Sequence, residues 1–509
     1  MRRTLSAGAV VSLLAIATSP TSASAQQPMT IVDSYKRAYD LLEAAIAAHG
    51  GPEALAAARH MRLTARGYEY HMHQSRRVAP PLDSTVFDAV LMTDIPRGRV
   101  VYEDTRGYPG GFYYTNRRVT SGTEAFAIDM RNRRYTASQG QPPTDSHGDV
   151  FLPPQFRLLQ IHRVAGGSLR SLGRMRLASG AEVDVITARM PAGFMTTLGF
   201  DPVTHRLHAL VSPGGDLLIG DHPVETEFLG YRMLNGMLLP TEWVTRRGGI
   251  VVSRYRYTSA EPGYQIPDSL LRPPAGFTQT PAPAAGEPLR TLGSGLWAVR
   301  SGGNWSLLAE FRDHLLVVDA GSASASDILS RVATIAPNKP LRYVVPTHHH
   351  SDHFNGVRTY AAAGVTTVTT PGNLELFRRV ITAPVPLLVA NLARPPAEAA
   401  SRVETISGKR RVFSDGTRTV EIHDVGPTGH AEEILVAWVP SEGVLFQADL
   451  IEAATGQALP GSASPTTVRL AEFIKQRGWN VKVFAGSHGF LDDPAQFEAL
   501  VRLPVIPPG

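Results

Sequence analysis

The chain has 509 residues, 43% hydrophobic and 19% charged, an ordinary globular composition that excludes wholesale disorder and predicts roughly two to four domains. It contains no cysteine, which excludes disulfides, thiolate nucleophiles, cysteine-ligated zinc, iron–sulfur clusters and a lipid-modified N-terminal cysteine. The net charge of +5 falls to +3, 48 basic residues against 45 acidic, once a leader carrying Arg2 and Arg3 is set aside, and so near a balance argues against a nucleic-acid partner.

Residues 1–25 combine Arg2-Arg3, an apolar run from Ala7 to Ala17 and the small residues Ala23-Ser24-Ala25, the pattern of a cleaved secretory signal. The run is too short to cross a hydrocarbon core, which takes about 20 residues, and no later stretch is long and apolar enough. The expectation is a protein released to the periplasm or secreted, cut after Ala25, with no transmembrane segment.

From Asp33 to Ala48 the apolar positions Tyr35, Ala38, Leu42, Ala45 and Ile46 recur at helical spacing, Gly50-Gly51 stops the helix, and Pro52 can open a second. Between Met61 and Tyr257 the texture changes to short segments rich in Val, Tyr, Thr and Phe. Glu182–Arg189, Arg206–Val211 and Ile250–Tyr257 read as strands of a mostly antiparallel sheet. Prolines 267, 273, 274, 281, 283 and 288 then mark a linker. Beyond it, Leu292–Arg300, Ser306–Phe311, His314–Asp319 and Leu341–Pro346 read as strands and Ala325–Ile335 as a helix. The division is a signal peptide over 1–25, an N-terminal antiparallel β-rich domain with a leading helix over 26–265, a Pro/Ala-rich linker over 266–289, and an α/β layered domain over 290–509.

The chemistry is concentrated in His348-His349-His350-Ser351-Asp352-His353, directly after the strand Leu341–Pro346. Neutral imidazole and carboxylate are the donors that divalent zinc, iron and manganese take when no thiolate is offered. Residues two apart on an extended segment share a face, so His348 and His350 point to one metal while Asp352 and His353 turn to a second. His349, between two ligands, reads as a supporting or solvent-facing residue. His423 reads as an exposed strand position, and His71 and His73 as surface residues sharing a strand face.

The segment 290–509 resembles the metallo-β-lactamase superfamily. Besides the His348–His353 motif, the resemblance rests on Asp319-Ala320-Gly321, Gly426-Pro427-Thr428-Gly429-His430, Val444-Leu445-Phe446-Gln447-Ala448-Asp449 and Ala485-Gly486-Ser487-His488-Gly489, in the family's order. It implies an αββα sandwich and a dinuclear site, with His348, His350 and His430 on the first metal, Asp352, His353 and His488 on the second, and Asp449 bridging. It implies two zinc ions, which iron or manganese could replace, a metal-bridging hydroxide as nucleophile, and Asp352 as the catalytic residue that orients it and relays a proton. Asp449 stands where the main antibiotic-destroying enzymes carry cysteine or serine, which resembles the glyoxalase II, lactonase, phosphodiesterase and alkylsulfatase branches instead. Two departures are Phe354-Asn355-Gly356, where Gly-Gly is frequent, and Ala431-Glu432-Glu433, where Thr-Pro-Gly is frequent.

The N-terminal domain carries no catalytic motif; its helix-on-sheet pattern resembles the half-barrels of lipoprotein carriers, which implies contact with a lipid or acyl chain. The expected activity is hydrolysis of a small-molecule ester, thioester, lactone or related bond, in a pocket built by the loops Pro371–Pro396, with its apolar Leu387–Ala390, and Thr455–Thr467. The alternatives are an iron-dependent redox enzyme of the same fold, of persulfide-dioxygenase type, a β-lactam hydrolase, a nuclease, which charge and export oppose, and a non-catalytic periplasmic carrier.

Overall fold

The structure, a computed structural model, describes residues 29–505 apart from 110–111, 140–152, 165, 190–194, 281–288, 302, 322–324, 385–392 and 457–458. The signal sequence, the core of the linker and the Leu387–Ala390 segment therefore lie outside the described residues.

The leading helix spans Ile31–Ala48, and the Thr30 hydroxyl caps it by accepting from the Asp33 N–H at 3.1 Å. Ala38, Leu42, Ala45 and Ile46, the residues that carried its periodicity, are the buried ones. Gly50 ends it at φ +96°, in the left-handed region, and Gly51-Pro52 open the helix Gly51–Ala57. The strands that follow form a 14-stranded sheet. His60–Tyr70 lies near its middle, paired antiparallel with Ser84–Asp94 on one side and Ile250–Pro262 on the other. A third helix, Pro154–Val164, joins the leading helix on one face. There Leu42, Leu158 and Ile161 pack with Phe87, Phe228, Trp243 and Tyr257 of the strands.

The sheet continues past the proline run, where Thr278–Gln279 pairs with Arg134–Gln139. Two expectations need correcting here. His71 and His73 are not on a strand face, because the strand ends at Tyr70, and His71 is buried, its Nε2 2.6 Å from Thr85 Oγ1. Leu292–Arg300 is not one strand but two, Leu289–Gly293 and Leu296–Ser301, folded back where Gly295 takes φ +68°.

The second domain is layered as helices, sheet, sheet, helices. A seven-stranded sheet runs from Leu289–Gly293 to Val403–Thr405, and a six-stranded sheet from Arg410–Ser414 to Gly489–Leu491. Their facing sides bury Leu307, Leu316 and Val345 against Ile422, Ala437 and Phe446. On the outer face of the first, Val317 and Val344 meet Ile328 and Val332 of the helix Ala325–Ile335, together with Tyr360 and Phe377. On the outer face of the second, Trp438 and Leu445 meet Leu470 and Phe473 of the helix Pro465–Arg477. Apolar residues on both faces of the strands Asn304–Glu310 and Leu315–Val318 give the near-continuous hydrophobic runs that mark them in the sequence. Among the described residues, no helix is long and apolar enough to cross a membrane.

Gly356, after the histidine motif, sits where the chain leaves no room. A Cβ there would stand 2.7 Å from the Ala320 carbonyl and 2.8 Å from that of Gly321, both backbone atoms that cannot swing aside. Gly356→Ala is expected to destabilise the second domain by about 1–3 kcal/mol. Gly167→Ala, whose Cβ meets nothing within 4 Å, is the control. Thermal unfolding of both variants checks this; equal midpoints would contradict it.

Candidate metal centre

The motif leaves from the C-terminal end of the strand Leu341–Val345, an inner strand of the seven-stranded sheet. His350 keeps extended backbone, at ψ 146°, and Ser351–Phe354 then form one helical turn. That switch from extended to helical turns His348 and His350 one way and Asp352 and His353 another. His430 arrives on a tight turn in which Thr428 Oγ1 accepts from the N–H groups of His430 and Ala431, at 3.1 and 3.0 Å. Asp449 follows the strand Val444–Gln447 in a left-handed conformation, φ +59°, and the turn is held by the Leu450 N–H donating to Gln447 Oε1 at 2.8 Å. His488 sits in the turn between Val483–Gly486 and Gly489–Leu491. A Cβ on Gly486 would stand 2.6 Å from the Gly489 carbonyl oxygen, a backbone atom, so glycine is required where these loops meet.

All seven residues singled out in the sequence come together, in two groups that share Asp449. One is His348, His350, His430 and Asp449; the other is Asp352, His353, His488 and Asp449. Within each group one donor atom per residue lies within 4.8 Å of the others. The Nε2 atoms of His348 and His430 are 3.1 Å apart, about the separation of two donors on one four-coordinate ion. Asp449 Oδ2 lies 2.9 Å from His353 Nε2 and 3.0 Å from His430 Nε2, while its Oδ1 lies 2.9 Å from His488 Nε2. Asp352 Oδ2 is 3.2 Å from His353 Nε2 and 3.5 Å from that of His488.

The electrostatics of this packing fit cations at its centre. Burial, reinforced by the neighbouring imidazoles, holds His348 and His350 well below the usual imidazole range, as neutral donors. Burial also acts to lower His353, but the carboxylates of Asp319, Asp449 and Asp352 outweigh it and hold the ring well above that range. His488 is pushed up to about 9, its burial outweighed by hydrogen bonds to Asp352 and Asp449. The negative field that draws protons onto these two rings would draw a divalent cation in their place. His350 Nδ1 is buried without a hydrogen-bond partner among the described residues, as a ligand nitrogen would be.

Supporting groups fix the rings. His353 Nδ1 donates to Asp319 Oδ2 at 2.8 Å. Asp319 is fully buried at φ +77°, its Oδ1 accepting from the Ala320 N–H at 2.9 Å. Thr347 Oγ1 lies 3.2 Å from His348 Nδ1. His349 belongs to neither group; it is buried, not solvent-facing, and its Nε2 donates to the Ser75 carbonyl at 2.7 Å. His423, read as exposed, is buried beside Trp479, with its Nε2 2.8 Å from Glu421 Oε2. Gln74 was missed altogether. Its Nε2 donates to Asp352 Oδ1 at 2.9 Å from 278 positions away, and no local pattern marks such a contact.

Residues 299–488 match the metallo-beta-lactamase superfamily. The chain thus carries a metallo-beta-lactamase domain, with the fold and donor set of a metal-dependent hydrolase. Among solved structures it is similar to a metallo-beta-lactamase from Pontibacter korlensis, at 20% identity over 42% of this chain and 97% of that one, with a TM-score of 0.33. It is also similar to the DIM-1 metallo-beta-lactamase, at 19% identity over 42% and 95%, with a TM-score of 0.32. A third is the mono-zinc form of FIM-1 from Pseudomonas aeruginosa, at 19% identity over 42% and 93%, with a TM-score of 0.32. No curated protein sequence matches the chain.

Removing the carboxylate behind His353 tests the supporting role of Asp319 in this metallo-beta-lactamase domain. Asp319→Ala leaves a buried N–H without its acceptor, at a cost of about 1–3 kcal/mol, and is expected to weaken metal binding about 10–100-fold. Thermal unfolding and metal titration check the two effects; wild-type behaviour in both would contradict the role.

Proposed function

We propose that the protein is an exported dinuclear zinc hydrolase that cleaves a small ester, thioester, lactone or related bond. The observation that carries this reading is that one carboxylate, Asp449, stands within 3.0 Å of both groups of ligands, its Oδ2 beside His430 and His353 and its Oδ1 beside His488. His348, His350 and His430 would hold the first ion, Asp352, His353 and His488 the second, with Asp449 between them. The absence of thiolates and the mixed imidazole–carboxylate set suit zinc, and iron or manganese would find the same donors acceptable. Asp449, in place of a cysteine or serine, supports an ester-, thioester- or lactone-cleaving specificity. The leader pattern of residues 1–25 supports export.

When bound, two divalent ions supply Lewis-acid polarisation of the scissile group and acidify a water towards neutrality. The chain's own residues do the rest. Asp352 is the better placed of the two acids to handle protons, since its side chain is 40% exposed against 12% for Asp449. With its carboxylate held by Gln74, Asp352 would orient the attacking water and relay its proton. Water oxygen bonds to the carbonyl carbon, the bond to the leaving group breaks, and the proton passes to that group. Asp319, by fixing His353, keeps the second group oriented while charge develops.

An acyl or other apolar part of the substrate would lie on the N-terminal sheet. A cavity of about 560 Å³ lies on the face that also carries the helices, its wall part apolar, with Met195, Leu210, Val224 and Tyr255, and part polar, with Glu69, Arg106, Arg157, Arg247 and the segment His71–Gln74. Because Gln74 touches Asp352, this cavity borders the metal centre, and an acyl chain lying there would present its carbonyl to the ligands.

A hydrolysis panel with the zinc-loaded chain tests the reading, covering thioester, lactone, aryl ester, β-lactam, phosphodiester and sulfate ester. Turnover of one carbonyl class is expected, falling by at least about a thousandfold in Asp449→Ala and His350→Ala. Turnover that survives in both variants, or none on any substrate, would contradict it. Thr226→Trp, which fills the cavity wall, is expected to lower kcat/KM about tenfold for long-chain esters and to spare short ones. An equal effect on both would place the chain elsewhere.

A further inference from the structure

Residues 71–83 connect the strands His60–Tyr70 and Ser84–Asp94 of the first sheet, yet several of their hydrogen bonds reach the second domain, two of them to His350 and Asp352. The Ser351 N–H donates to the His73 carbonyl at 3.2 Å, and the Glu432 N–H to the Arg76 carbonyl at 2.8 Å. The Ser75 carbonyl accepts twice, from His349 Nε2 at 2.7 Å and from His350 Nε2 at 3.0 Å. Gln74 Nε2 donates to Asp352 Oδ1 at 2.9 Å. Two of the proposed ligands are thus bonded directly by another domain.

The segment is also held firmly on its own side. His73 Nε2 lies 2.6 Å from Asp216 Oδ2. Asp83 Oδ2 accepts from Ser75 Oγ at 3.0 Å and from the Arg76 N–H at 2.7 Å, while the Asp83 N–H donates back to Ser75 Oγ at 3.0 Å. Val78 and Leu218 of the first domain pack into the apolar core of the second.

We propose that this segment is a built-in part of the metal centre, with the Ser75 carbonyl and the Gln74 amide as its positioning groups. A neutral imidazole carries one N–H, and a carbonyl can only accept. The bond to Ser75 therefore places the His350 proton on Nε2 and leaves the Nδ1 lone pair for the first ion. That Nδ1 is the buried nitrogen without a partner among the described residues, and its ring packs 4.3 Å from that of His430, centre to centre. The Gln74 N–H occupies Oδ1 of Asp352 and leaves Oδ2 as the oxygen facing His353 and His488. One peptide segment thereby sets the donor atom of a ligand in each group. The N-terminal domain then governs metal affinity as well as access.

This inference rests on the dinuclear reading, so the test separates the two. Cobalt(II) is titrated into the full chain, following its visible spectrum and competition with a chromophoric chelator, for wild type, Gln74→Ala, Gln74→Glu and Asp83→Ala. Gln74→Glu keeps the size of the side chain and removes the donor. Both Gln74 variants are expected to weaken the second ion about 10–100-fold, to alter its spectrum, and to leave the first ion within about threefold. Asp83→Ala, which frees Ser75, is expected to weaken the first ion by a similar factor, and thermal unfolding verifies that each variant is folded. Folded variants that bind two ions with wild-type affinity and spectrum would overturn this inference alone. A wild-type chain that binds fewer than two ions would overturn the dinuclear reading and this inference with it.

Discussion

Asp449 reaches His353 and His430 with one oxygen and His488 with the other, so the placement of a single carboxylate decides whether seven side chains form one centre or two unrelated clusters. That placement is costly. A non-glycine residue at φ +59° is strained by about 1–3 kcal/mol, less for aspartate, which tolerates this region better than most. Asp319, behind His353, shows the same feature at φ +77°. Both carboxylates are turned inward at the ends of strands whose other residues are fully committed to the core. The rigidity of the two packed sheets sustains the strain and fixes the distances between donors.

How far this could be read from sequence depends on how local the cause was. The helix Ala325–Ile335 and the strand Glu182–Arg189 have the bounds their patterns predicted, because periodicity and flanking breakers act within a few residues. The grouping of His348 with His350 and of Asp352 with His353 was legible for the same reason, since extended backbone and one following turn fix where each points. The fold of Leu289–Ser301 was less legible, because the apolar run passes through a turn that only Gly295 reveals.

The histidines show the opposite case. His349, His423, His71 and His73 were read from their own strand or loop, but their surroundings come from elsewhere in the chain. His349 meets Ser75 across 274 positions, and His73 meets Asp216 across 143. The departures from the family pattern take on meaning only in that context. Glu432 gives its N–H to Arg76, with its carboxylate 3.5 Å from Arg77 Nε, and Glu433 accepts from the Thr370 hydroxyl. Within a stretch that departs from the family pattern, Glu432 joins the two domains and Glu433 is bonded inside the second. The N-terminal domain therefore has a cavity beside the cluster and hydrogen bonds to Asp352 and His350, contacts that its lack of catalytic motifs concealed.

The central claim is that these seven side chains bind two metal ions through a shared Asp449. Anomalous diffraction at the zinc edge, from crystals of the full chain grown with zinc, tests it most directly. Two peaks are predicted, one enclosed by His348, His350 and His430 and the other by Asp352, His353 and His488, with the Asp449 carboxylate between them. A single peak, or peaks held by other side chains, would contradict the account.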